Sequence, residues 1–271
     1  MKENNRLSKQ HIETYLQGYA GQLQLEIYES VDSTNILAKN HAIAGAPEGT
    51  VVIAEHQTKG KGRMGRKFFS PEGTGVYFSI VLRPGIPAED ALFLTTSAAV
   101  AVARAIEKIS GNRTEIKWVN DIYCNGKKVC GILTEAGMNC EKQYLEYAIV
   151  GIGINVVKPE GDFPEDIRNR ADGIFAENHD LGAVRNRLVA EVLNEFWAFY
   201  KQGDKKAYME EYRKRSFLIG QQVYIMGDYQ PEPVVVMDVD EEARLVVQCL
   251  DGTQKVLSSG EVSVKPMMEM R

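Results

Sequence analysis

The sequence predicts an α/β protein in which a mixed central sheet flanked by helices is followed by a small C-terminal SH3-like β-barrel. Helical and strand patterns alternate over the first part of the chain, which is typical of a sheet covered by helices. From Phe217 onward, four or five short strands joined by tight turns follow one another within about 55 residues, which favours a small barrel. The composition, with 44% hydrophobic and 25% charged residues, is that of a globular protein able to bury a full core.

The helices of the first part are bounded by capping and breaking residues. Ser8 and Gly18 bound the first helix, the second follows three capping residues and stops at Gly45, and Pro87 and Gly111 bound the long third helix. Alternating or continuously apolar runs predict the strands. In chain order we predict helix 8–18, strand 23–29, helix 32–45, strands 50–57 and 75–82, and helix 87–111.

After the long third helix, the sequence shows a hairpin pattern. Asn125 and Gly126 predict a tight turn between strands 115–124 and 128–137. Residues 158–182 show little periodicity and predict a surface excursion. The remaining predicted elements are strand 144–157, helices 184–203 and 204–216, and strands 221–226, 233–240, 243–250 and 254–264. We therefore expect a domain boundary between residues 215 and 216.

Charge and composition exclude several classes of protein. The net charge of −5 argues against a general nucleic-acid or anionic-membrane binder, although it allows a local basic site. The polar N-terminus is no signal peptide, and no apolar run is long enough to span a bilayer. The four cysteines form no C-x-x-C pair, which is typical of reduced thiols. These features predict a cytoplasmic protein.

Gly60, Gly62 and Gly65 form a literal G-x-G-x-x-G after an apolar run. A dinucleotide-binding turn needs a helix directly after the glycines, because the helix N-terminus supports the pyrophosphate. Here a strand pattern follows at 75–82, and no acidic residue stands about 20 residues further on. The dinucleotide interpretation therefore fails.

The side chains of this loop are its distinctive feature, because residues 59–67 carry five cations in nine residues. Mutual repulsion and the glycines predict a segment that is mobile until an anion neutralises it. The residues alone leave three interpretations open: a solvated basic turn, a nucleic-acid patch, and a loop that closes over a small phosphorylated ligand. The five cations are Lys59, Lys61, Arg63, Arg66 and Lys67.

Five segments in order decide between these interpretations. They are "VDSTN" (31–35), "EHQTKGKGRMGR" (55–66), "KWVNDIY" (117–123), "KKVCGILTE" (127–135) and "GIGIN" (151–155). Each is weak alone, but in this order and spacing they closely resemble the biotin protein ligases. The resemblance extends over essentially the whole chain, including the small C-terminal barrel.

The resemblance implies a two-step reaction with ATP and biotin as substrates and Mg²⁺ as cofactor. Biotin and ATP give biotinyl-5′-adenylate and pyrophosphate, and biotin then passes to one lysine of a biotin carboxyl carrier domain. It also implies a catalytic domain over residues 1–215 and an SH3-like domain over residues 216–271. A helix-turn-helix domain needs roughly 60 residues, whereas only about 30 precede "VDSTN", so we expect a ligase that binds neither DNA nor membrane.

Two alternative functions stay open: a lipoate- or octanoate-type acyl ligase of related fold, and a bifunctional ligase-repressor. Whether the protein forms a homodimer also stays open. Which residue would hold Mg²⁺ is also left open.

The site residues are implied by the same resemblance. For biotin they are Ser33, Thr34, Asn35, Gln57, Gly60, Lys61, Gly62, Arg63, Lys128 and Gly131, and for ATP they are Arg63, Arg66, Asn120, Lys128 and Asn155. Lys128, Arg63 and Asp121 are the implied catalytic residues, with Lys128 bridging the biotin carboxylate and the α-phosphate. For Asp121 two roles stay open: orienting the phosphates or Mg²⁺, and accepting a proton from the incoming lysine. Gly151 and Gly153 are expected to make room for the nucleotide.

The sequence departs from the family pattern in three places. Lys61 stands where many members carry arginine, which weakens any bidentate role there. Phe68 stands where tryptophan is common, so the aromatic character is kept. Residues 171–175 match the family poorly, which puts contacts from that stretch to adenine in doubt.

Overall fold

The computed structural model describes residues 5–139, 141, 143–175, 181–203, 205–226, 231–258 and 263–266. The α-helices are α1 (Lys9–Glu13), α2 (Thr34–Ile43), α3 (Ala91–Ser110), α4 (Glu165–Arg168), α5 (Leu181–Gln202) and α6 (Lys205–Arg215). The strands are β1 (Gln24–Val31), β2 (Thr50–Gln57), β3 (Gly75–Leu82), β4 (Thr114–Lys117), β5 (Asp121–Cys124), β6 (Lys127–Asn139), β7 (Tyr144–Asn155), β8 (Gln222–Met226), β9 (Glu232–Val239), β10 (Leu245–Cys249), β11 (Gln254–Leu257) and β12 (Ser263–Pro266). Short 3₁₀ turns cover Gly18–Gln22, Arg63–Gly65 and Ala88–Asp90.

Seven strands form one mixed sheet in the order β1-β2-β3-β7-β6-β5-β4. β1 and β2 run parallel, and the other neighbouring pairs run antiparallel. All eight residues of β3 and the last eight of β7 are buried, so the centre of the sheet is covered on both faces. The predicted mixed central sheet is confirmed.

Helices cover the two faces of this sheet unequally. Along β2, Val51 and Ile53 belong to the main core, to which α3 and α5 contribute most of their buried residues. Val52 points to the opposite face, since side chains alternate along a strand, and there it packs against Ala38 and Ala42 of α2.

The C-terminal part is a five-stranded antiparallel sheet in the order β11-β10-β9-β8-β12. This confirms the predicted small β unit. Its buried residues, such as Val223 and Val236, belong to the same hydrophobic cluster as the core of the large sheet. Ser216, directly after α6, forms a parallel bridge with Ile116 at the edge strand β4, so the segment that leads into the small sheet is joined to the large one.

Three predicted elements differ from the structure. The predicted helix 8–18 is reduced to α1, because Asn194 of α5 bonds the backbone of Tyr15 and Gln17 in place of further helical turns. The predicted strand 115–124 is two strands, β4 and β5, around the turn at 118–120. The predicted strand 254–264 is likewise two, β11 and β12, while residues 259–262 lie outside the described residues.

The predicted surface excursion contains the short helix α4 and two isolated bridges that tie it to the sheet, Lys128 with Ala171 and Val157 with Phe175. Residues 176–180 and Cys140 lie outside the described residues. No helix in the described part of the chain is long and apolar enough to span a bilayer.

Candidate active site

A cavity of about 520 Å³ lies beside β6 and β7. The start of α2, the glycine-rich loop (residues 59–70), residues 117–123 and residues 163–171 contribute the rest of its wall. The predicted site residues that line it are Ser33, Thr34, Asn35, Gln57, Lys61, Gly62, Arg63, Arg66, Asn120, Asp121, Lys128, Gly131, Gly151, Gly153 and Asn155. The five segments that carry the resemblance therefore meet around one cavity.

Gly60 is the one predicted site residue that does not line the cavity. A Cβ atom here would lie 2.3 Å from the carbonyl oxygen of Phe68 and 2.7 Å from the hydroxyl of Ser70. The Gly60 carbonyl also accepts a hydrogen bond from the Phe68 amide at 2.9 Å. Glycine is thus required here because the two sides of the loop touch, and its predicted contact with biotin stays a prediction.

At one end of the cavity, the uncharged side chains of Thr34, Asn35 and Gln57 belong to a hydrogen-bonding network that reaches the Glu135 carboxylate behind them. The Thr34 amide and hydroxyl donate to Oε1 of Gln57 at 2.9 and 3.1 Å. The fully buried hydroxyl of Ser79 lies 2.8 Å from the Thr34 hydroxyl and 2.6 Å from Oδ1 of Asn35. The Asn35 amide nitrogen donates to Glu135 at 2.9 Å. This network fixes the orientation of two amide side chains, Asn35 at the start of α2 and Gln57 at the end of β2.

Ser33 occupies the N-cap position of α2 with extended backbone angles. Its hydroxyl makes no capping hydrogen bond to the helix, although the residue is only 2% exposed. Capping therefore does not account for the serine at this position.

Glycines make room for two side chains beside the floor of the cavity. A Cβ on Gly151 would lie 1.8 Å from Oδ1 of Asn35, and one on Gly153 would lie 2.5 Å from the ring of Phe68. A Cβ on Gly131 would lie 3.2 Å from the same ring. Asn35 and Phe68 occupy the space directly beside these glycines, and the expectation that Gly151 and Gly153 make room for a nucleotide stays a prediction.

The other end of the cavity is charged. The Lys128 ammonium lies 2.6 Å from Oδ1 of Asp121. The Asn120 amide nitrogen donates to the same Asp121 oxygen at 3.1 Å and to the Ile132 carbonyl at 2.9 Å, while its oxygen accepts from the Arg63 guanidinium at 3.0 Å. Burial lowers the pKa of Arg63 from its ordinary value and the Asp121 carboxylate opposes that shift, so the guanidinium stays charged at physiological pH. Lys128 thus contacts the Asp121 carboxylate directly, and Asn120 links Arg63 to the same carboxylate.

The surface excursion holds the backbone of Lys128 in place. The Lys128 amide donates to the Arg170 carbonyl at 2.7 Å, and the Lys128 carbonyl accepts from the Asp172 amide at 3.1 Å. Five further residues of the excursion belong to the cavity wall. They are Phe163, Asp166, Ile167, Arg170 and Ala171. Sequence analysis missed them, because the segment shows no periodicity and the pairing with Lys128 is non-local.

Sequence analysis also missed Lys117, Trp118 and Tyr123, which line the cavity. All three stand inside the "KWVNDIY" segment, so the motif itself carried the signal. Lys117 is only 8% exposed, and its ammonium lies 5.8 Å from the centre of the Tyr123 ring.

The glycine-rich loop turns back on itself. The Gly62 amide donates to the Arg66 carbonyl at 2.7 Å, and Met64 takes a positive φ of 54° in the turn. Two of its cations pair with carboxylates outside the loop, Lys59 with Asp32 at 3.0 Å and Lys61 with Glu135 at 3.6 Å. The predicted mobility of this loop stays a prediction.

A family model described as the biotin/lipoate A/B protein ligase family matches residues 27–155, which run from β1 to the end of β7. This match indicates the class of proteins to which the chain is similar.

Within that class, the chain belongs to the biotin protein ligase family. It is 30% identical over 256 residues to the biotin–[acetyl-CoA-carboxylase] ligase of Mycobacterium tuberculosis, and the alignment covers 90% of each protein. The chain is 42% identical over 174 residues to the bifunctional ligase/repressor BirA of Bacillus subtilis, which covers 64% of this chain but only 53% of that protein. The structure is similar to a biotin protein ligase from Aquifex aeolicus in complex with biotin and ATP, with a TM-score of 0.71, 28% identity, and coverage of 90% of this chain and 99% of that one.

Proposed function

We propose that this protein is an ATP-dependent biotin protein ligase. It activates biotin as biotinyl-5′-adenylate and transfers the biotinyl group to a lysine of a biotin carboxyl carrier domain. The observation that carries the proposal is one cavity with an uncharged hydrogen-bonding end and a cationic end. Biotin has the matching polarity, with a neutral ring head and an anionic carboxylate tail.

The uncharged end is proposed to bind the ring head of biotin. Ser33, Thr34, Asn35 and Gln57 supply hydroxyl and amide groups that suit a neutral ureido head. A site built from buried hydrogen-bonding groups rejects analogues that leave those groups unpaired. Gly62, Lys61 and Gly131 would line the path of the acyl chain toward the charged end.

The charged end is proposed to bind the biotin carboxylate and the phosphates of ATP. Arg63 and Arg66 offer guanidinium forks that match oxyanions, and Lys128 supplies a compact cation between the two reacting groups. Asn120 holds Arg63, and Asn155, buried at the end of β7, is proposed to contact adenine.

In the first step, a carboxylate oxygen of biotin attacks the α-phosphorus of ATP. The bond from that phosphorus to the bridging oxygen breaks, and pyrophosphate leaves with the electron pair. Arg63 and Lys128 offset the repulsion between the two anions and stabilise the charge that grows on the phosphate oxygens. Asp121 orients the Lys128 ammonium during this step.

In the second step, the neutral amine of the carrier lysine attacks the acyl carbon, and the bond to the AMP oxygen breaks. The amine loses a proton, for which Asp121 is the proposed acceptor. We propose that residues 1–215 carry both steps and that residues 216–271 form the accessory domain.

Mg²⁺ is proposed to enter with ATP. Among the described residues, no three acidic, histidine or cysteine side chains gather into a metal site. Magnesium in nucleotide sites is commonly held by phosphates and one or two carboxylates, and Asp121 supplies one carboxylate here. The donor set fits a metal that arrives on the nucleotide, where it would neutralise phosphate charge.

Pyrophosphate release tests the function directly. The protein is mixed with ATP, a biotin carboxyl carrier domain and one of three acids: biotin, lipoate or octanoate. Carrier labelling is followed by mass spectrometry. We expect pyrophosphate release only in the mixture that contains biotin, together with a biotin-sized mass increase on one carrier lysine. Release with lipoate or octanoate but not biotin would replace this function by that of the related acyl ligases.

Arg63→Ala is expected to weaken binding more than folding. Hydrogen bonds to charged groups contribute about 1.5–3 kcal/mol, so the Kd for biotinyl-adenylate should rise roughly 10- to 100-fold. The half-buried Arg63 also bonds Asn120, so its loss should lower the free energy of unfolding by about 1 kcal/mol. Calorimetry and thermal melting measure the two effects. Lys59→Ala is the control, since Lys59 is a cation of the same loop that does not line the cavity; a large loss of stability with normal affinity would make Arg63 structural.

Ligand is expected to order the glycine-rich loop. Amide exchange in residues 59–70 should slow when the phosphate of biotinyl-adenylate pairs with cations of the loop, whereas exchange in the turn at 250–253 should not change. Ligand at 100 times its Kd should also raise the free energy of unfolding by about 2.7 kcal/mol. Exchange in the loop that is equally slow with and without ligand would contradict the prediction.

A further inference from the structure

Three bonds from different parts of the chain hold the turn at residues 118–120, which connects β4 to β5 at the charged end of the cavity. The Trp118 indole donates to the carbonyl of Ala243, in the connection between β9 and β10, at 3.0 Å. The Ile132 amide of β6 donates to the Asn120 carbonyl at 2.9 Å. Between them, the Val119 carbonyl accepts a hydrogen bond from the Tyr212 hydroxyl of α6 at 3.1 Å.

Tyr212 is fully buried beneath the charged end of the cavity. Burial raises the pKa of its hydroxyl well above the ordinary value, the Arg63 guanidinium opposes that shift, and the Asp121 carboxylate adds to it. The hydroxyl thus stays neutral and remains a donor. Two charged groups of the cavity, Arg63 and Asp121, thus act on Tyr212, although Tyr212 itself does not line the cavity.

We propose that Tyr212 is a positioning residue for adenylate formation, which acts by fixing the Val119 carbonyl and thereby the Asn120 side chain. The inference rests on the proposed ligase function and adds a residue to it. Asn120 follows Val119 directly, and its single amide group holds both Arg63 and Asp121. A shift of the turn therefore displaces two charged groups at once.

The size of the effect follows from geometry. Misplacing reacting groups by about 1 Å can cost about 100-fold in rate. Removing one hydroxyl leaves the bonds from Trp118 and Ile132 in place, so the turn should loosen rather than unfold. We therefore expect Tyr212→Phe to slow adenylate formation about tenfold, less than the about 100-fold cost of a full 1 Å displacement.

The same helix offers a matched control. Tyr208 lies one turn earlier on α6, is 3% exposed, and donates its hydroxyl to the backbone carbonyl of Phe93 at 3.4 Å. Neither Tyr208 nor Phe93 lines the cavity. Tyr208→Phe therefore removes a comparable buried hydroxyl without touching the turn.

The experiment measures single-turnover rate constants for biotinyl-adenylate formation, which do not depend on the fraction of folded enzyme. The variants are Tyr212→Phe and Tyr208→Phe, each also combined with Asn120→Ala. We expect an approximately tenfold slowing for Tyr212→Phe, a change within about twofold for Tyr208→Phe, and no further slowing by Tyr212→Phe in the Asn120→Ala background, because coupled residues are not additive.

Two results would overturn this inference and leave the proposed function standing. One is a Tyr212→Phe rate within twofold of the parent rate. The other is an equal slowing by Tyr212→Phe in the parent and in the Asn120→Ala background, which is the behaviour of a general structural role. A parent enzyme that forms no biotinyl-adenylate would overturn the proposed function, and this inference with it.

Discussion

Lys128→Ala is expected to slow biotinyl-adenylate formation by at least about 10²–10³-fold, the typical cost of losing one group that stabilises transition-state charge. The biotin carboxylate must approach an α-phosphate that is itself anionic, and negative charge builds up on the phosphate oxygens as the reaction proceeds. An ammonium between them favours the transition state over the separated reactants. Asp121, 2.6 Å away, and the backbone pairing with Arg170 and Asp172 hold the lysine where this is needed.

Pyrophosphate release measures this effect, and the neighbouring lysine serves as the control. Lys127 donates to the Asn169 carbonyl and does not line the cavity, so Lys127→Ala should react normally. Lys128→Arg should restore only part of the rate, because the larger planar group displaces the charge. Preformed biotinyl-adenylate should recover part of the carrier labelling by Lys128→Ala. Near-normal pyrophosphate release by that variant would show that Lys128 is only a solvated hairpin lysine.

The sheet was predictable because its signals are local, whereas the site residues were implied by the resemblance to the biotin protein ligases. The predicted strands 50–57 and 75–82 coincide with β2 and β3, whose continuous apolar runs are typical of buried strands. The motif residues could be assigned to one site before any geometry was known. The sheet order explains why they meet: β3, β7 and β6 are neighbours, and Gly131 pairs directly with Gly153.

The features that sequence analysis missed depend on contacts between distant parts of the chain. The turn at 118–120 breaks a strand-like pattern because Ala243 and Tyr212 hold it from the C-terminal part of the molecule. Residues 163–171 reach the cavity because Arg170 and Asp172 pair with Lys128. No periodicity within these segments indicates such partners, since each partner is at least 40 residues away in the chain.

The close approach of Gly151 to Asn35 is the clearest example of a contact between distant parts of the chain. We expect Gly151→Ala to raise the Kd for biotin about 100-fold. The new methyl group would lie 1.8 Å from Oδ1 of Asn35, so that side chain must leave its place over β7. It would lose its hydrogen bonds with Ser79, the Leu133 carbonyl and Glu135. Biotin binding would have to restore those three bonds, and at about 1 kcal/mol per hydrogen bond this costs roughly 3 kcal/mol, which corresponds to about 100-fold in affinity.

A second substitution distinguishes the steric effect of the new methyl group from the role of Asn35 in biotin binding. Asn35→Ala removes the atoms with which the new methyl group collides, so the Gly151→Ala, Asn35→Ala double variant should melt closer to the parent than Gly151→Ala alone. Its affinity for biotin should nevertheless stay low, because the amide that completes the uncharged end of the cavity is missing. Gly21→Ala serves as the control, since a Cβ at Gly21 meets nothing within 4 Å and its φ is not positive. Calorimetric titration with biotin and thermal melting provide the two measurements. Normal biotin affinity in Gly151→Ala would mean that Asn35 can leave this position without cost, and it would remove Asn35 from the proposed biotin site.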